Sequence, residues 1–448
     1  MNAWLGNKLC LSLPPEYLVR RVKNDLTIEN PAFLEAQRAG RWTGHMQRYL
    51  QYFDENATGI TVPRGYIGPL LYHARQVGIN IKIDDDRHTC DPVPFRFSGE
   101  LKPYQNDTLK NILARDSGYA EAPTGSGKTV VALAAIAARK QPTLVIVHNK
   151  ELLRQWQDRI EQFLNIPRQD IGVIGNGEKR IGKQITVGIV NSIYKISHQI
   201  WPYFGHVVID ECHKCPARTF TEAVTAFPAR YLLGLSATPW RRDGLTKVIG
   251  FYLGPKVKVA AKDVDIIKEV EVVTRRTGFI PSVDPSDYYS TVLSELCEDT
   301  DRNRLIVTDV VTEVGNGGGT CLVLSDRKSH VDVLASMLTD KGIKADVLTG
   351  DTGTKEREAI VGRLNIGKVK VLVATGQLIG EGFDSQALHT LFLATPVKFD
   401  GRLIQYLGRV LRPAKGKYKV RVYDYIDPVG VLQASAKARG RVYKQLQQ

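Results

Sequence analysis

The sequence has few cysteines, and it has no apolar run near the ~20 residues that a helix needs to span a bilayer. Its six cysteines are scattered along 448 residues, which predicts free thiols in a reducing compartment and no disulfide framework. Cys212 and Cys215 form a C-x-x-C pair, but no second ligand pair has the spacing of a structural zinc site. The amino terminus lacks the basic start and apolar segment of a signal peptide. We therefore expect a cytoplasmic protein with neither a membrane partner nor a zinc site.

Positive charge is abundant and unevenly distributed. The formal net charge is +14, and residues 398–448 hold twelve lysines and arginines against three aspartates. Such a balance favours a polyanionic partner, for example nucleic acid. A basic surface that serves only solubility explains the same charge, so both interpretations stay open at this point.

The strongest local signal is the sequence APTGSGKT at residues 122–129. Its glycines allow backbone N–H groups to approach a phosphate, Lys128 adds positive charge, and the Thr129 hydroxyl can reach Mg²⁺. The apolar run at residues 130–138 predicts a buried helix, whose amino terminus favours an anion. We expect this loop to bind the phosphates of a nucleotide.

A second signal is the sequence DECH at residues 210–213, which follows a β-rich run at residues 205–209. That run predicts a buried strand that delivers Asp210 and Glu211 to the edge of the sheet where α/β proteins bind ligands. Asp210 is suited to holding Mg²⁺, and Glu211 is suited to orienting and deprotonating an attacking water. The two signals together predict nucleotide hydrolysis.

The first 97 residues form a predicted N-terminal domain, which ends in a polar connector punctuated by prolines. Basic and aromatic residues alternate through residues 31–52, as contact with a phosphate backbone and stacking on bases require. Four side chains are suited to such contacts: Arg41, Trp42, Arg64 and Tyr66. Alternatively, the aromatic side chains form a core and the arginines are merely solvated.

Two α/β patterns follow, at residues 98–255 and 256–448. Strands and helices alternate in each, which predicts two lobes with parallel, doubly wound sheets. The second lobe has no phosphate loop, but Arg409 and Arg412 are three residues apart and so share one face of a predicted helix. We expect this lobe to present arginines to the phosphate that is transferred; two surface arginines on a basic helix are the alternative.

From residue 101 to residue 412 the chain resembles superfamily 2 helicases of the DExH kind in the order and spacing of its motifs. Beyond the two signals above, the motifs are SATP at 236–239, GEGFD at 380–384 and QYLGRVLR at 405–412. The resemblance implies an α/β protein with two RecA-like lobes and a small α+β N-terminal DNA-binding domain. It also implies ATP and Mg²⁺ as cofactors, with nucleic acid bound across the lobes.

The resemblance assigns roles to individual residues. The implied nucleotide-binding residues are Gln105, which would read adenine, and Gly125, Ser126, Gly127, Lys128, Thr129, Asp210, Gly382 and Asp384. The implied catalytic residues are Lys128, Glu211, Gln405, Arg409 and Arg412. Thr129 and Asp210 are the implied magnesium ligands, Ser236 and Thr238 would couple the ATP and nucleic-acid sites, and Thr375 would contact a nucleic-acid phosphate.

Within the superfamily the chain is most similar to the XPB-like group, and there to compact phage branch-migration helicases of the UvsW type. The similarity rests on GRWTG at 40–44 with VPRGY at 62–66, and on a second lobe that ends similarly around residues 425–427. It also rests on RRD at 241–243, where the group has Arg-Glu-Asp. It implies a monomeric DNA helicase that acts on forks, four-way junctions and single strands in recombination, repair or replication. Recombination or replication proteins are expected partners. If a phage encodes the chain, the protein is expected in the host cytoplasm.

Other functions share some of these motifs. An RNA helicase of the DExH kind, or a duplex-unwinding helicase without junction preference, shares every ATP motif. A metabolic kinase needs only the phosphate loop and leaves residues 405–412 unexplained. Stimulation of ATP hydrolysis by DNA, by RNA or by neither discriminates among them.

Overall fold

The computed structural model describes two compact units, Met1–Asp263 and Val264–Gln448. Residues outside the description are 39, 123–124, 215–217, 238–244, 258, 260–268, 286, 318, 381–384, 386, 398–399, 412–416, 418 and 447–448. Only the backbone is described at residues 38, 214, 218–220, 354, 377, 380, 400–402, 405 and 445–446.

The predicted N-terminal domain, which we call the N-terminal domain below, folds as a set of strands and helices at the start of the first unit. Its strands are β1 (Asn2–Leu5), β2 (Lys8–Ser12), β3 (Thr27–Glu29), β4 (Tyr49–Gln51), β5 (Asp54–Asn56), β6 (Gly59–Pro63) and β7 (Lys82–Asp85). Its helices are α1 (Glu16–Asp25), α2 (Pro31–Arg38) and α3 (Ile67–Gln76). The main sheet has the order β5-β6-β2-β1-β7, and β3 pairs with β4 separately. Alternate residues of β1 and β2 are buried against α1 and α3, as expected for strands with one covered face.

The first lobe completes the first unit. Its strands are β8 (Ser117–Glu121), β9 (Thr143–Val147), β10 (Gly172–Gly175), β11 (Glu178–Arg180), β12 (Ile185–Ile189), β13 (His206–Ile209), β14 (Tyr231–Ser236) and β15 (Lys256–Val257). Its helices are α4 (Pro103–Leu113), α5 (Lys128–Arg139), α6 (Lys150–Leu164), α7 (Val190–Ile200), α8 (Arg218–Thr225) and α9 (Thr246–Leu253). The strands form one sheet in the order β11-β10-β12-β9-β13-β14-β8-β15, parallel except at β11.

The apolar runs of this lobe explain its layers. Every residue of β9 is buried, because helices cover both faces of a parallel sheet. Two separate apolar clusters lie on the two faces, one around α5 and α6 and the other around α7, α8 and α9. The order β13-β14-β8 places the carboxyl ends of these three neighbouring strands side by side, and the predicted functional motifs follow these ends.

The second unit is a second parallel α/β lobe. Its strands are β16 (Glu269–Arg276), β17 (Thr320–Ser325), β18 (Ala345–Leu348), β19 (Val371–Thr375), β20 (Leu388–Leu393) and β21 (Lys419–Ile426). Its helices are α10 (Tyr289–Glu298), α11 (Thr300–Gly315), α12 (Lys328–Asp340), α13 (Thr354–Asn365), α14 (Gly376–Gly380), α15 (Asp400–Val410) and α16 (Gly430–Leu446). All strand pairs are parallel, in the order β16-β21-β20-β17-β19-β18. In the described part of this lobe, two ion pairs have both side chains buried, Arg302–Asp427 at 2.8 Å and Arg439–Asp424 at 2.7 Å.

These lobes confirm the α/β fold class with two RecA-like lobes. The predicted domain limits at residues 97 and 255 stay predictions, although the short strand β15 pairs with β8 and therefore extends the first lobe beyond residue 255. Among the described residues, no helix combines the length and apolarity that crossing a membrane requires.

Candidate functional site

The phosphate loop lies between β8 and α5. The loop residues Gly125 and Gly127 have φ values of +87° and +80°, which glycine adopts without strain. A Cβ at Gly127 would lie 2.3 Å from the Gln105 amide nitrogen, so the loop also needs glycine for space. Lys128 begins α5, and its ammonium group donates to the Ala122 carbonyl oxygen at 2.8 Å. The loop therefore places a lysine and the start of a helix together, as predicted.

Two side chains of α4 are hydrogen-bonded to the backbone of this loop. The Gln105 amide and the Tyr104 hydroxyl donate to the Ser126 carbonyl oxygen at 2.9 Å and 3.0 Å. The Gln105 carbonyl oxygen also accepts from the backbone of Lys102 at 3.0 Å. Gln105 is thus buried and bound to the loop, a role that the sequence did not suggest; its contact with adenine stays a prediction.

The loop suits a nucleotide phosphate on an observation independent of its sequence. The Ser126 hydroxyl oxygen is buried and has no hydrogen-bond partner among the described residues. A buried polar atom without a partner is costly, and a ligand oxygen at the loop would satisfy it. The helix start beside it adds favourable N–H groups and a favourable dipole.

The two predicted carboxylates lie where β13 ends. β13 is fully buried and leads directly into Asp210, whose backbone N–H continues the sheet by donating to Ile146 at 3.0 Å. Glu211 has a φ of +50°, a left-handed conformation that costs a non-glycine residue free energy and is frequent at functional sites. The adjacent carboxylates have different neighbours, since Asp210 contacts Trp156 and Glu211 contacts His213.

The Asp210 carboxylate is held by two donors. The Trp156 indole N–H donates to its Oδ2 at 2.9 Å, and the Glu211 backbone N–H donates to its Oδ1 at 3.0 Å. Removal from water, and then the charge of Glu211, raise the pKa of Asp210 to about 6, while the Trp156 hydrogen bond and Lys128 oppose this rise. A bound cation would restore the ionised form, so the site favours a positive ligand beside Asp210.

His213 connects the carboxylates to the neighbouring strand. Its Nδ1 lies 3.2 Å from Glu211 Oε2 and 3.2 Å from the Ser236 hydroxyl at the end of β14. Ala122 is the first residue of the phosphate loop, and its backbone N–H donates to the Ser236 carbonyl oxygen at 3.1 Å. One chain of contacts thus joins the carboxylates, the predicted coupling residue Ser236 and the phosphate loop.

The donor set suits magnesium bound together with phosphate. Among the described residues no cluster of three or more histidine, cysteine or acidic side chains forms a metal cage. Mg²⁺ commonly takes one or two protein oxygens and completes its shell with water and substrate phosphates. Asp210 and the half-buried Thr129 provide such oxygens.

The predicted residues of the second lobe are described only in part. Thr375 is the last residue of β19, and Arg409 is a half-buried residue in the last turn of α15. For Gln405 only the backbone is described. Four other predicted residues lie wholly outside the described part of the chain: Thr238, Gly382, Asp384 and Arg412. α15 ends at Val410, so the described helix does not include both predicted arginines.

The four predicted DNA contacts of the N-terminal domain separate into two pairs. Trp42 is 75% exposed and Arg41 is also exposed, so Trp42 is not a core residue. Arg64 is 5% exposed and bonds backbone carbonyls of the first lobe, while Tyr66 is 2% exposed and donates to Asp25 at 2.8 Å. Our prediction that Arg64 and Tyr66 contact DNA was wrong, because both side chains are buried against protein.

The chain matches known proteins over both lobes. The family described as "Type III restriction enzyme, res subunit" matches residues 98–241, and "Helicase conserved C-terminal domain" matches residues 304–414. "Probable helicase D10" of Escherichia phage T5 is 28% identical over 326 residues, which are 71% of this chain and 70% of that protein. "DNA 3'-5' translocase XPB2" of Sulfurisphaera tokodaii is 33% identical over 186 residues, 41% of this chain and 42% of that protein.

One solved structure shares the two-lobe architecture, and a second aligns over the whole chain at a lower score. S. cerevisiae Dbp5, bound to RNA and ADP BeF3, aligns with a TM-score of 0.56 at 15% identity, over 78% of this chain and 94% of that chain. T4 UvsW aligns with a TM-score of 0.45 at 17% identity, over 100% of this chain and 98% of that chain.

Two RecA-like lobes, with a phosphate loop and paired carboxylates in the first, define a nucleotide-hydrolysing motor of the helicase class. The chain belongs to the superfamily 2 helicases and is related to XPB/Rad25 proteins and to viral helicases. It is an ATP-dependent helicase and binds nucleic acid.

Proposed function

We propose that this helicase is a DNA translocase that acts on branched DNA, with the N-terminal domain contacting the branch and the two lobes moving along one strand. Relatives from archaea and bacteria are named as DNA 3'-5' translocases or helicases, which supports DNA as the substrate. The activities that fit this substrate are branch migration and fork regression. If a phage encodes the chain, they take place in the host cytoplasm.

The observation that carries the proposal is an aromatic and basic surface at residues 41–49, which we call the aromatic platform. The Trp42 ring packs against Gly44, where an added Cβ would lie 2.5 Å from the ring. The centres of the Trp42 and His45 rings are 5.1 Å apart. The Arg48 guanidinium lies 5.4 Å from the centre of the Tyr49 ring, which is also exposed. Exposed rings beside cations suit an unpaired base and its phosphate.

A motor that grips only one strand's backbone does not recognise what lies ahead of it. Preference for a branch therefore needs an added surface, and the aromatic platform belongs to the domain that precedes the lobes. Fork and junction preference is accordingly assigned to Arg41 and Trp42.

ATP hydrolysis is assigned to the first lobe, completed by arginines of the second. ATP supplies the phosphoryl group, and Mg²⁺ held by Asp210 and Thr129 would neutralise its charge. Lys128 would bind the phosphates, and Glu211 would orient the attacking water and accept its proton. Arg409 and Arg412 would stabilise charge that develops on the transferred phosphoryl group.

RNA is the competing substrate. A relative from Acanthamoeba polyphaga mimivirus, 27% identical over 346 residues, has the name of an ATP-dependent RNA helicase. The ATP motifs do not discriminate between RNA and DNA, so the nucleic acid must be tested directly.

The test compares ATP hydrolysis by the full chain with single-stranded DNA, duplex, fork, four-way junction and RNA. We expect the fork and the junction to stimulate hydrolysis most. Trp42→Ala should weaken fork binding about tenfold, since stacking contributes ~1–3 kcal/mol per base, and should affect single-strand binding less. Tyr72→Ala is the matched control, because Tyr72 is an exposed aromatic residue on α3, outside the platform. Equal stimulation by RNA, or an unchanged fork affinity in Trp42→Ala, would contradict the proposal.

A further inference from the structure

A buried arginine joins the N-terminal domain to the first lobe. The Arg64 guanidinium donates to the carbonyl oxygens of Ala229 and Arg230, at 2.7 Å and 3.0 Å. These two residues directly precede β14, the strand that ends at Ser236 beside the ATP site. On the domain side, Arg64 begins a 3-10 turn whose last residue, Tyr66, is fully packed in the domain core. Arg64 thus ties the domain core to the base of a central strand.

The next residue packs backbone against backbone. A Cβ at Gly65 would lie 2.4 Å from the Gly250 carbonyl oxygen and 2.4 Å from the Gly254 nitrogen, at the end of α9. Beside this contact, the Tyr52 ring packs on Phe251 and Tyr252, with ring centres 5.6 Å and 6.3 Å apart. No side chain fits between the domain and α9 at Gly65, so the contact requires glycine.

The connector between the domains is also bound along its length. It passes the amino ends of four lobe strands, first β8, then β14, β9 and β12, and ends beside α6. The bonds in chain order are Arg87 to Asp116 (2.9 Å), His88 N to Pro228 O (2.8 Å), Cys90 N to Gln141 Oε1 (2.8 Å), Val93 N to Lys140 O (2.8 Å) and Ser98 N to Phe163 O (2.9 Å); Gln184 bonds the Pro94 carbonyl. The sequence predicts a polar connector with prolines here, and several of its backbone groups are hydrogen-bonded to the lobe.

We propose that the N-terminal domain works as a fixed part of the first lobe, and that Arg64 and Gly65 are positioning residues for substrate choice although neither contacts DNA. They hold the aromatic platform at one distance and angle from β14, whose far end touches the ATP site. The DNA part of this inference rests on the proposed function, since it presumes a preference for forks. The docking part does not.

The test uses two glycines that are three residues apart. Gly65→Ala forces the domain off α9, whereas Gly68→Ala adds a methyl group to α3 with no atom within 4 Å. Hydrogen exchange of residues 59–66 and 86–98 measures docking, and the ratio of fork-stimulated to single-strand-stimulated ATP hydrolysis measures substrate choice. Arg64→Lys is a second variant, which keeps the charge but cannot bond both carbonyls in the same planar geometry.

We expect slow exchange of both segments in the wild type and in Gly68→Ala, and faster exchange in Gly65→Ala and Arg64→Lys. In those two variants the fork preference should disappear, while single-strand-stimulated hydrolysis stays within about twofold of wild type. If Gly65→Ala does not fold, Arg64→Lys carries the test alone.

Two results overturn the inference. One is a wild-type connector that exchanges as fast as an unstructured peptide; the other is full fork preference in a variant whose connector has become fast-exchanging. If the wild type itself shows no fork preference, the proposed function fails, and the exchange data still decide whether the domain is docked.

Discussion

The Trp156 indole donates a hydrogen bond of 2.9 Å to Asp210 Oδ2, and so a core tryptophan of α6 orients the carboxylate that we assign to magnesium. Trp156 is 2% exposed and packs in the apolar cluster beneath the sheet, which fixes its ring. The bond also favours the ionised carboxylate against the effect of burial. Partners that orient a ligand residue in this way commonly matter for metal affinity.

Trp156→Phe removes the N–H donor and part of the ring volume, and it keeps an aromatic ring in the core. We expect the magnesium concentration needed for half-maximal ATP hydrolysis to rise about tenfold, with a smaller change in the maximal rate. Titration of Mg²⁺ in the hydrolysis assay, and in binding of a fluorescent nucleotide, measures this. Trp4→Phe, at a half-exposed position on β1, is the matched control. An unchanged magnesium requirement would show that the bond only serves packing.

Lys128→Ala and Glu211→Gln should both abolish turnover, but for different reasons. Loss of Lys128 removes a charge that binds the phosphates, so nucleotide affinity falls. Glu211→Gln keeps the size of the side chain and removes the base, so nucleotide still binds while kcat falls about 10²- to 10⁴-fold. Nucleotide binding and hydrolysis are measured on the same samples. Normal turnover in Glu211→Gln would exclude the assigned role.

Arg409→Ala and Arg412→Ala should reduce ATP hydrolysis far more than ATP binding. Arginines that reach the transferred phosphate contribute about 10³- to 10⁵-fold to kcat where they occur. Arg304→Ala is the control, because Arg304 is an exposed arginine of the same lobe paired with Asp301. Equal losses of binding and hydrolysis would argue against a role confined to the transition state.

The second lobe should lose stability in acid because of His330. Its ring nitrogens lie 3.0 Å from the Ser325 hydroxyl and 2.8 Å from Asn303 Oδ1, and burial, then Arg302, lower the pKa of His330 to about 3. Between pH 6.5 and about 3 the unfolded chain therefore binds a proton that the folded lobe excludes. Stability from this residue is present above pH 6.5 and falls by about 1.4 kcal/mol per pH unit below it.

The measurement is the apparent melting temperature against pH. His330→Gln should be less stable than wild type at neutral pH, and its stability should fall less steeply between pH 6.5 and 4. His45→Gln, an exposed position in the N-terminal domain, should keep the wild-type slope. Parallel curves for wild type and His330→Gln would show that other groups control the acid loss.

The sequence predicts the lobes well, because their strands and motifs are local patterns. The apolar run at residues 130–138 lies within α5, and the paired carboxylates follow β13 as expected. Alternation of basic and aromatic residues does not reveal which side chains face water, so Trp42 and Arg64 have the same pattern but opposite exposure. The Trp156–Asp210 bond joins residues 54 positions apart, and such a pairing has no local signal.

The contacts of the connector also could not be predicted from local sequence patterns. Charged residues and prolines at residues 84–94 predict a polar connector at a domain boundary, but they do not predict that this segment is hydrogen-bonded to the base of the sheet. Its partners lie just before strands that are far apart in sequence and come together only in the folded sheet. Fold class follows from local periodicity, whereas docking of the N-terminal domain follows from tertiary contacts.

Conversion of a synthetic four-way junction into two forked products measures whether ATP hydrolysis drives this protein along branched DNA. We predict that the full chain converts the junction only with ATP and Mg²⁺, that Glu211→Gln binds the junction without converting it, and that Trp42→Ala converts it slowly. If the protein unwinds RNA or a plain duplex but does not convert the junction under the same conditions, branched DNA is not its substrate.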